Sequence, residues 1–145
     1  MLKKATGIRN QQTARAGEFF VAAELNRRGA NAVTFAGNMP GIDILANMKD
    51  KVVQIQVKSK RKGTWQTSYK EGRQNPRPND NRFWVFVDLK RAAPEYYIVP
   101  DHWIRKNIYK RFLQRGAAFL QTHRGTFCHF LNCKGQNLIW QKVSN

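Results

Sequence analysis

Acidic residues are scarce in this chain. Nine Asp and Glu stand against 26 Lys and Arg over 145 residues, a formal net charge of +17. A field of that sign repels itself in a compact fold and attracts polyanions, so nucleic acid is the first partner to consider, bound through phosphate neutralisation and counterion release. A membrane surface is second, but no segment approaches the roughly 20 apolar residues of a transmembrane helix. The basic start, MLKKATGIRNQQTARAGEFF, lacks the apolar run of a secretory signal. Cysteine is equally sparse: two residues make no disulfide framework and fit a reducing cytoplasm. Repeats and low-complexity stretches are absent. No Gly-rich phosphate loop or Ser/His/Asp arrangement stands out, so nucleotide hydrolysis and acyl transfer have little support. His123, Cys128, His129 and Cys133 do not have the spacing of a recognised zinc site. Cys128 and His129 are adjacent and would point to opposite faces of a strand, so core filling by TFCHFLN is expected instead.

What is present is a globular composition, 41% hydrophobic and 12% aromatic, in a length suited to one domain with one real core. TARAGEFFVAAELNRRG (13 to 29) reads as a helix, with Thr13 as N-cap and Gly29 as its stop. Ala14, Gly17, Glu18, Val21, Ala22 and Leu25 form a stripe at helical spacing, which places Glu18 beside the apolar face. AVTFA (32 to 36) suits a short strand. PGIDILANMKDKVVQIQVKSK (40 to 60) suits a hairpin with strands near 41 to 47 and 52 to 58. RFWVFVDLK (82 to 90) and EYYIVP (95 to 100) suit two more strands, and Asp101 an N-cap for a helix ended by Gly116. The tail reads as a final hairpin or strand pair. This order implies an α/β or α+β fold, a sheet with flanking helices in a single domain.

The hairpin carries the chemistry. Val53, Ile55 and Val57 share one face of the second strand, and Gln54, Gln56 and Lys58 the other. With a loop centred on Lys49 and Asp50, antiparallel pairing sets Asp43 opposite Gln56, close enough for both side chains to hold one ion. A bulge would upset that register. Mg²⁺ takes oxygen ligands, commonly one or two carboxylates with waters and substrate phosphate. Asp43 offers a carboxylate, Gln56 an amide oxygen, and Glu18 a second acid if its helix packs on this sheet. Lys58 could orient or deprotonate a water and stabilise phosphate charge.

The helix GEFFVAAELNRRG, the strands PGIDILA and IQVKSK, then FWVFVDLK and EYYIVP, resemble the PD-(D/E)XK nuclease superfamily over roughly residues 13 to 100. That is the fold of many restriction enzymes and archaeal-type Holliday junction resolvases. The resemblance implies a restriction-endonuclease-like mixed central sheet flanked by helices, with a core near 13 to 116 and a C-terminal extension over 117 to 145. It implies Mg²⁺-dependent (or Mn²⁺-dependent) DNA cleavage, with Asp43 as principal metal ligand, Gln56 at the second ligand position and Lys58 as catalytic lysine. Glu18 matches the first-helix glutamate of the resolvase-like branch. Here Gln56 replaces the usual acid, and two residues separate Pro40 from Asp43. A homodimer or higher oligomer follows by analogy.

The tract from 59 to 82 is long for a structureless connection, hence functional or partly helical. Lys60, Arg61, Lys62, Lys70, Arg73, Arg77 and Arg82 can neutralise phosphates, while Trp65 and Tyr69 can stack on bases. Arg105, Lys106, Lys110, Arg111 and Arg115 on the last helix offer a second such surface. Three alternatives stand beside these readings: a solvated basic loop with Trp65 in the core, Glu18 as an acid complementing a helix N-terminus, and Asp43, Gln56 and Lys58 as a solvated strand face. At the level of function the alternatives are a non-catalytic DNA- or RNA-binding protein on this fold and a ribosome-associated basic protein.

Overall fold

The computed structural model describes residues 2–35, 39–79, 81–115 and 125–127. In chain order the elements are α1 (Leu2–Arg27), β1 (Asn31–Thr34), β2 (Ile44–Met48), β3 (Lys51–Lys60), β4 (Trp65–Thr67), a 3₁₀ turn (Tyr69–Glu71), β5 (Arg82–Asp88), β6 (Glu95–Pro100), α2 (Asp101–Arg115) and β7 (Gly125–Phe127). Five strands form one sheet in the order β1-β2-β3-β5-β6, while β4 and β7 make a separate pair. Within the large sheet only β3 and β5 are parallel, so the sheet is mixed, as expected.

Alternation along the central strands builds two cores. Val53, Ile55 and Val57 of β3 and Val85 and Val87 of β5 face Val21 and Leu25 of α1. Trp84 and Phe86 of β5 point the other way, against Trp65 and against Ile104 and Ile108 of α2. The polar face of β3 therefore opens onto the second, aromatic side. No helix among the described residues is long and apolar enough to cross a membrane.

Helix α1 starts eleven positions before the expected N-cap at Thr13. Thr13 instead lies in the helix interior and donates its hydroxyl to the Arg9 carbonyl at 2.9 Å, a back-bond that removes it from capping. The stop is as expected: Gly29 N–H donates to Asn26 O and Ala30 N–H to Leu25 O, each at 3.0 Å, closing a Schellman motif. Asp101 opens α2, but its buried carboxylate is occupied elsewhere. It accepts from the Trp84 indole at 2.8 Å and from Arg105 Nε at 2.8 and 2.9 Å. The long connection is partly ordered, with β3 running to Lys60 before β4 and the 3₁₀ turn. Of the tail, β7 pairs antiparallel with β4 (Trp65 opposite Phe127). Gly116, His123, Cys128, His129 and Cys133 lie outside the described residues.

The seating of α1 on β3 depends on Gly17. A Cβ there would collide with the Ser59 hydroxyl and lie 2.8 Å from Ser59 Cβ, so only glycine allows this approach. Gly17→Ala should cost about 1–3 kcal/mol as overpacking of a tight contact. Adding Ser59→Gly should recover most of that loss. Urea unfolding of the single and double variants measures both, and an undiminished Gly17→Ala stability would contradict the contact.

Candidate active site

The β2–β3 ladder has the expected loop, Met48 pairing with Lys51 across Lys49 and Asp50, and runs back to Ile44 opposite Ile55. At Asp43 it breaks. In a regular antiparallel strand a residue's N–H and C=O address the same neighbour. Asp43 sends its N–H to Ile55 O on β3 at 2.9 Å, yet its carbonyl accepts from Phe35 N–H on the β1 side at 3.2 Å. Asp43 and Ile44 thus both address Ile55, which is the two-against-one count of a bulge. The simple opposition of Asp43 to Gln56 is corrected accordingly. The Asp43 carboxylate crosses to β3 and accepts the Val57 N–H at 2.6 Å.

Gln56 is 8% exposed. Its amide Nε2 donates to Glu71 Oε1 at 3.1 Å, while its Oε1 is buried without a hydrogen-bond partner. Lys58, one step along the same face, has its ammonium 3.7 Å from Glu71 Oε1 and 5.5 Å from the centre of the Trp84 ring. Glu71 was not singled out from the sequence. It closes the 3₁₀ turn through a capping box with Ser68, and the spacing Ser68-x-x-Glu71 was the available signal.

Glu18 is half-buried on α1 and lines, with Asp43, a cavity of about 650 Å³ whose wall includes Gln11, Gln12, Arg15, Phe35 and Ile42. Because α1 begins at Leu2, Glu18 sits in mid-helix, and complementing a helix N-terminus no longer explains it. Burial pushes the Glu18 carboxyl above its ordinary value, and the charge of Asp43 adds to that. Burial likewise raises Asp43, against the opposing effects of the Val57 N–H and Lys58, with Glu71 reinforcing the rise. Asp43 therefore feels Glu18 from the α1 side and Lys58 and Glu71 from the other. Among the described residues no three His, Cys, Asp or Glu side chains gather as a metal-binding group. A cation here would have to draw on the Gln56 amide oxygen beside carboxylate, and that oxygen is the unsatisfied atom.

The residues expected to contact nucleic acid divide. Arg61, Lys62, Lys70, Arg73 and Arg77 are exposed. Lys60 is engaged within the fold, paired with Asp88 at 3.1 Å and lying over the Trp65 ring at 3.9 Å. Arg82 pairs with Asp101 at 3.4 Å and donates to Gly41 O at 3.2 Å. Trp65 is a core residue whose indole donates to Val87 O at 3.1 Å, so its ring is not presented to a base. The apolar ring and its need for one acceptor are both met inside. Tyr69 stacks on Phe112 with centroids 5.7 Å apart. On α2, Arg105 is bound to Asp101 and to Glu71 O, whereas Lys106 and Lys110 are exposed.

Comparison with solved structures shows the fold. The chain is similar to a bacterial homing endonuclease, I-Ssp6803I, with a TM-score of 0.51 and 13% identity over 92% of this chain and 93% of that one. A looser likeness is to Hjc of Archaeoglobus fulgidus, a Holliday junction resolvase, with a TM-score of 0.43 and 22% identity over 60% of this chain and 76% of that one. No family model matches the chain, and no curated protein sequence does. The architecture is the nuclease-like α/β fold, two helices flanking a five-stranded mixed sheet.

A carboxyl raised on folding binds its proton more tightly in the folded than in the unfolded chain. Its ionised form then costs stability above the folded pKa, and the cost vanishes below the ordinary carboxylate range. Asp43→Asn keeps an acceptor for the Val57 N–H and removes the charge. In EDTA it should melt at a higher temperature than the wild type at about pH 7.5 and lose that advantage near about pH 3. Equal melting temperatures at both pH values would show that Asp43 is not strained by its burial.

Proposed function

We propose that this chain is a divalent-metal-dependent endodeoxyribonuclease of the PD-(D/E)XK kind, cutting DNA phosphodiester bonds in a restriction-like, homing-type or junction-resolving reaction. Two observations carry the reading together: the Oε1 of Gln56 is buried without a partner, and burial raises the pKa of the Asp43 carboxyl. An unsatisfied buried polar atom costs about 1–3 kcal/mol, and burial penalises the ionised form of Asp43 as well. One cation would relieve both. Asp43 and Gln56 fit Mg²⁺ or Mn²⁺ as oxygen ligands, with Glu18 as the further acid on the cavity wall. When bound, the metal would polarise the scissile phosphate and lower the pKa of a coordinated water.

The chain's own residues supply the rest. Lys58 stands at the end of this row as a fixed cation, suited to orient the water and to offset charge developing on the phosphate oxygens. Asp43 and Glu18 must both be ionised for the site to work, and burial raises both above their ordinary values, so activity should fall on the acid side. The exposed cations Arg61, Lys62, Lys70, Arg73 and Arg77 can neutralise backbone phosphates, and the net charge of +17 draws DNA in. Cutting both strands needs two such sites, so the working form is a homodimer or higher oligomer of a single-domain chain.

The neutral Gln56 favours one competing reading, a DNA- or RNA-binding protein that keeps the fold without cleaving. Plasmid and branched DNA incubated with Mg²⁺, Mn²⁺ or EDTA separate the two. Cleavage should require metal and fall at least about a hundredfold in Asp43→Ala and in Lys58→Ala. Salt-sensitive binding with no cleavage in any metal would sink the enzyme and leave the binding protein.

A further inference from the structure

Gln56 has an ambiguity that an acid at its position would not have. A carboxylate presents oxygen whichever way it turns, whereas an amide turned by half a revolution presents NH₂, which repels a cation. The orientation of the amide therefore decides whether this position can be a ligand at all. It is settled by Glu71. A carboxylate only accepts, so the group facing Glu71 Oε1 at 3.1 Å must be the Gln56 NH₂, whatever the density of other contacts. The amide oxygen is then turned the opposite way, where it is buried and unpartnered.

Glu71 is itself held from several directions. Its Oε2 accepts the Ser68 N–H at 3.1 Å, and its carbonyl accepts from Arg105 Nη1 at 3.0 Å. The next residue, Gly72, lies so close to α2 that a Cβ there would come within 2.9 Å of Tyr109 N. The turn is thus seated on the helix, and the carboxylate is aimed at β3 rather than at solvent. The same Oε1 also faces the Lys58 ammonium at 3.7 Å, so one oxygen steers two side chains of the row.

We propose that Glu71 is a positioning residue for this site, fixing the Gln56 amide so that its oxygen faces the metal position and holding Lys58 in line. This rests on the nuclease reading above and adds to it an account of how a neutral residue serves where an acid would otherwise stand. An acid at 56 would set two carboxylates at hydrogen-bond distance beside Glu71.

The test uses the full chain and Mn²⁺ alone, titrated by electron paramagnetic resonance, alongside cleavage rates. Glu71→Gln is the informative change, because glutamine also serves in a capping box and keeps the turn. The amide introduced at 71 can accept from Gln56 NH₂ or donate to its oxygen, so the bias disappears. Mn²⁺ affinity should fall about tenfold, the usual scale for losing a residue that orients a ligand, with the melting temperature unchanged. The double variant Gln56→Glu/Glu71→Gln should regain that affinity, since a carboxylate at 56 needs no steering, and Gln56→Glu alone should not. Wild-type affinity and wild-type cleavage in Glu71→Gln would overturn the positioning role while leaving the nuclease intact. Mn²⁺ binding unaffected by Asp43→Ala would instead overturn the metal site itself, and the role of Glu71 with it.

Discussion

The hydrogen bond from the Val57 N–H to the Asp43 carboxylate, at 2.6 Å, is the interaction on which the site depends. It exists because the β2–β3 ladder stops at Ile44 and the chain at Asp43 turns its amide and carbonyl to different strands. A carboxylate in register would have been one more side chain on the polar face of the sheet, opposite Gln56 of β3. Displaced by the break, it lies at the margin of the sheet, coupled to Glu18 across one side and to Lys58 and Glu71 across the other. The bond holds the carboxylate without satisfying its charge, and burial keeps its pKa high all the same.

Scarcity of acids sharpens the point. In a chain with nine acidic residues and a charge of +17, Coulomb attraction favours placing each acid beside one of the many cations. Several are so placed: Glu24 is gripped by Arg27 and Arg28, which hold its pKa down to about 2, and Asp88 and Asp101 are paired with Lys60 and Arg105. Glu18 and Asp43 differ from these: both are raised by burial, and they share a cavity. Groups whose environments strain them together inside a concave wall are the usual mark of a functional site. Among the described residues of this basic protein, these two acids are raised by burial in spite of the cations Arg15 and Lys58 near them.

Much of the fold was legible because its central strands obey simple alternation. β5 and β6 fall within the expected segments, the hairpin turns at Lys49 and Asp50, and Val21, Ala22 and Leu25 bury as the helical stripe required. The first half of α1 was not legible, since residues 2 to 12 carry no apolar stripe to announce a helix. Nor was the break at Asp43, which is a matter of backbone direction that no side-chain pattern records. Trp65 read as a base-stacking aromatic because its neighbours are basic, whereas its indole N–H has an acceptor at Val87 O and its ring a core to fill. Asp101 read as a helix cap, but an indole and a guanidinium compete for its oxygens and prevail. Glu71 could have been seen in the spacing from Ser68. What could not be seen is that the 3₁₀ turn folds back over β3, a contact fifteen residues along the chain from Gln56.

The central claim is that one cation sits between the Asp43 carboxylate and the Gln56 amide oxygen. Titrating Mn²⁺ into ¹⁵N-labelled protein locates it directly, because paramagnetic broadening falls steeply with distance. The account predicts that the Gln56 side-chain amide and the Val57 backbone amide broaden first, and that Asp43→Asn abolishes this preference. Broadening that begins instead around Glu24 or Asp88, or spreads evenly over the surface, would contradict it.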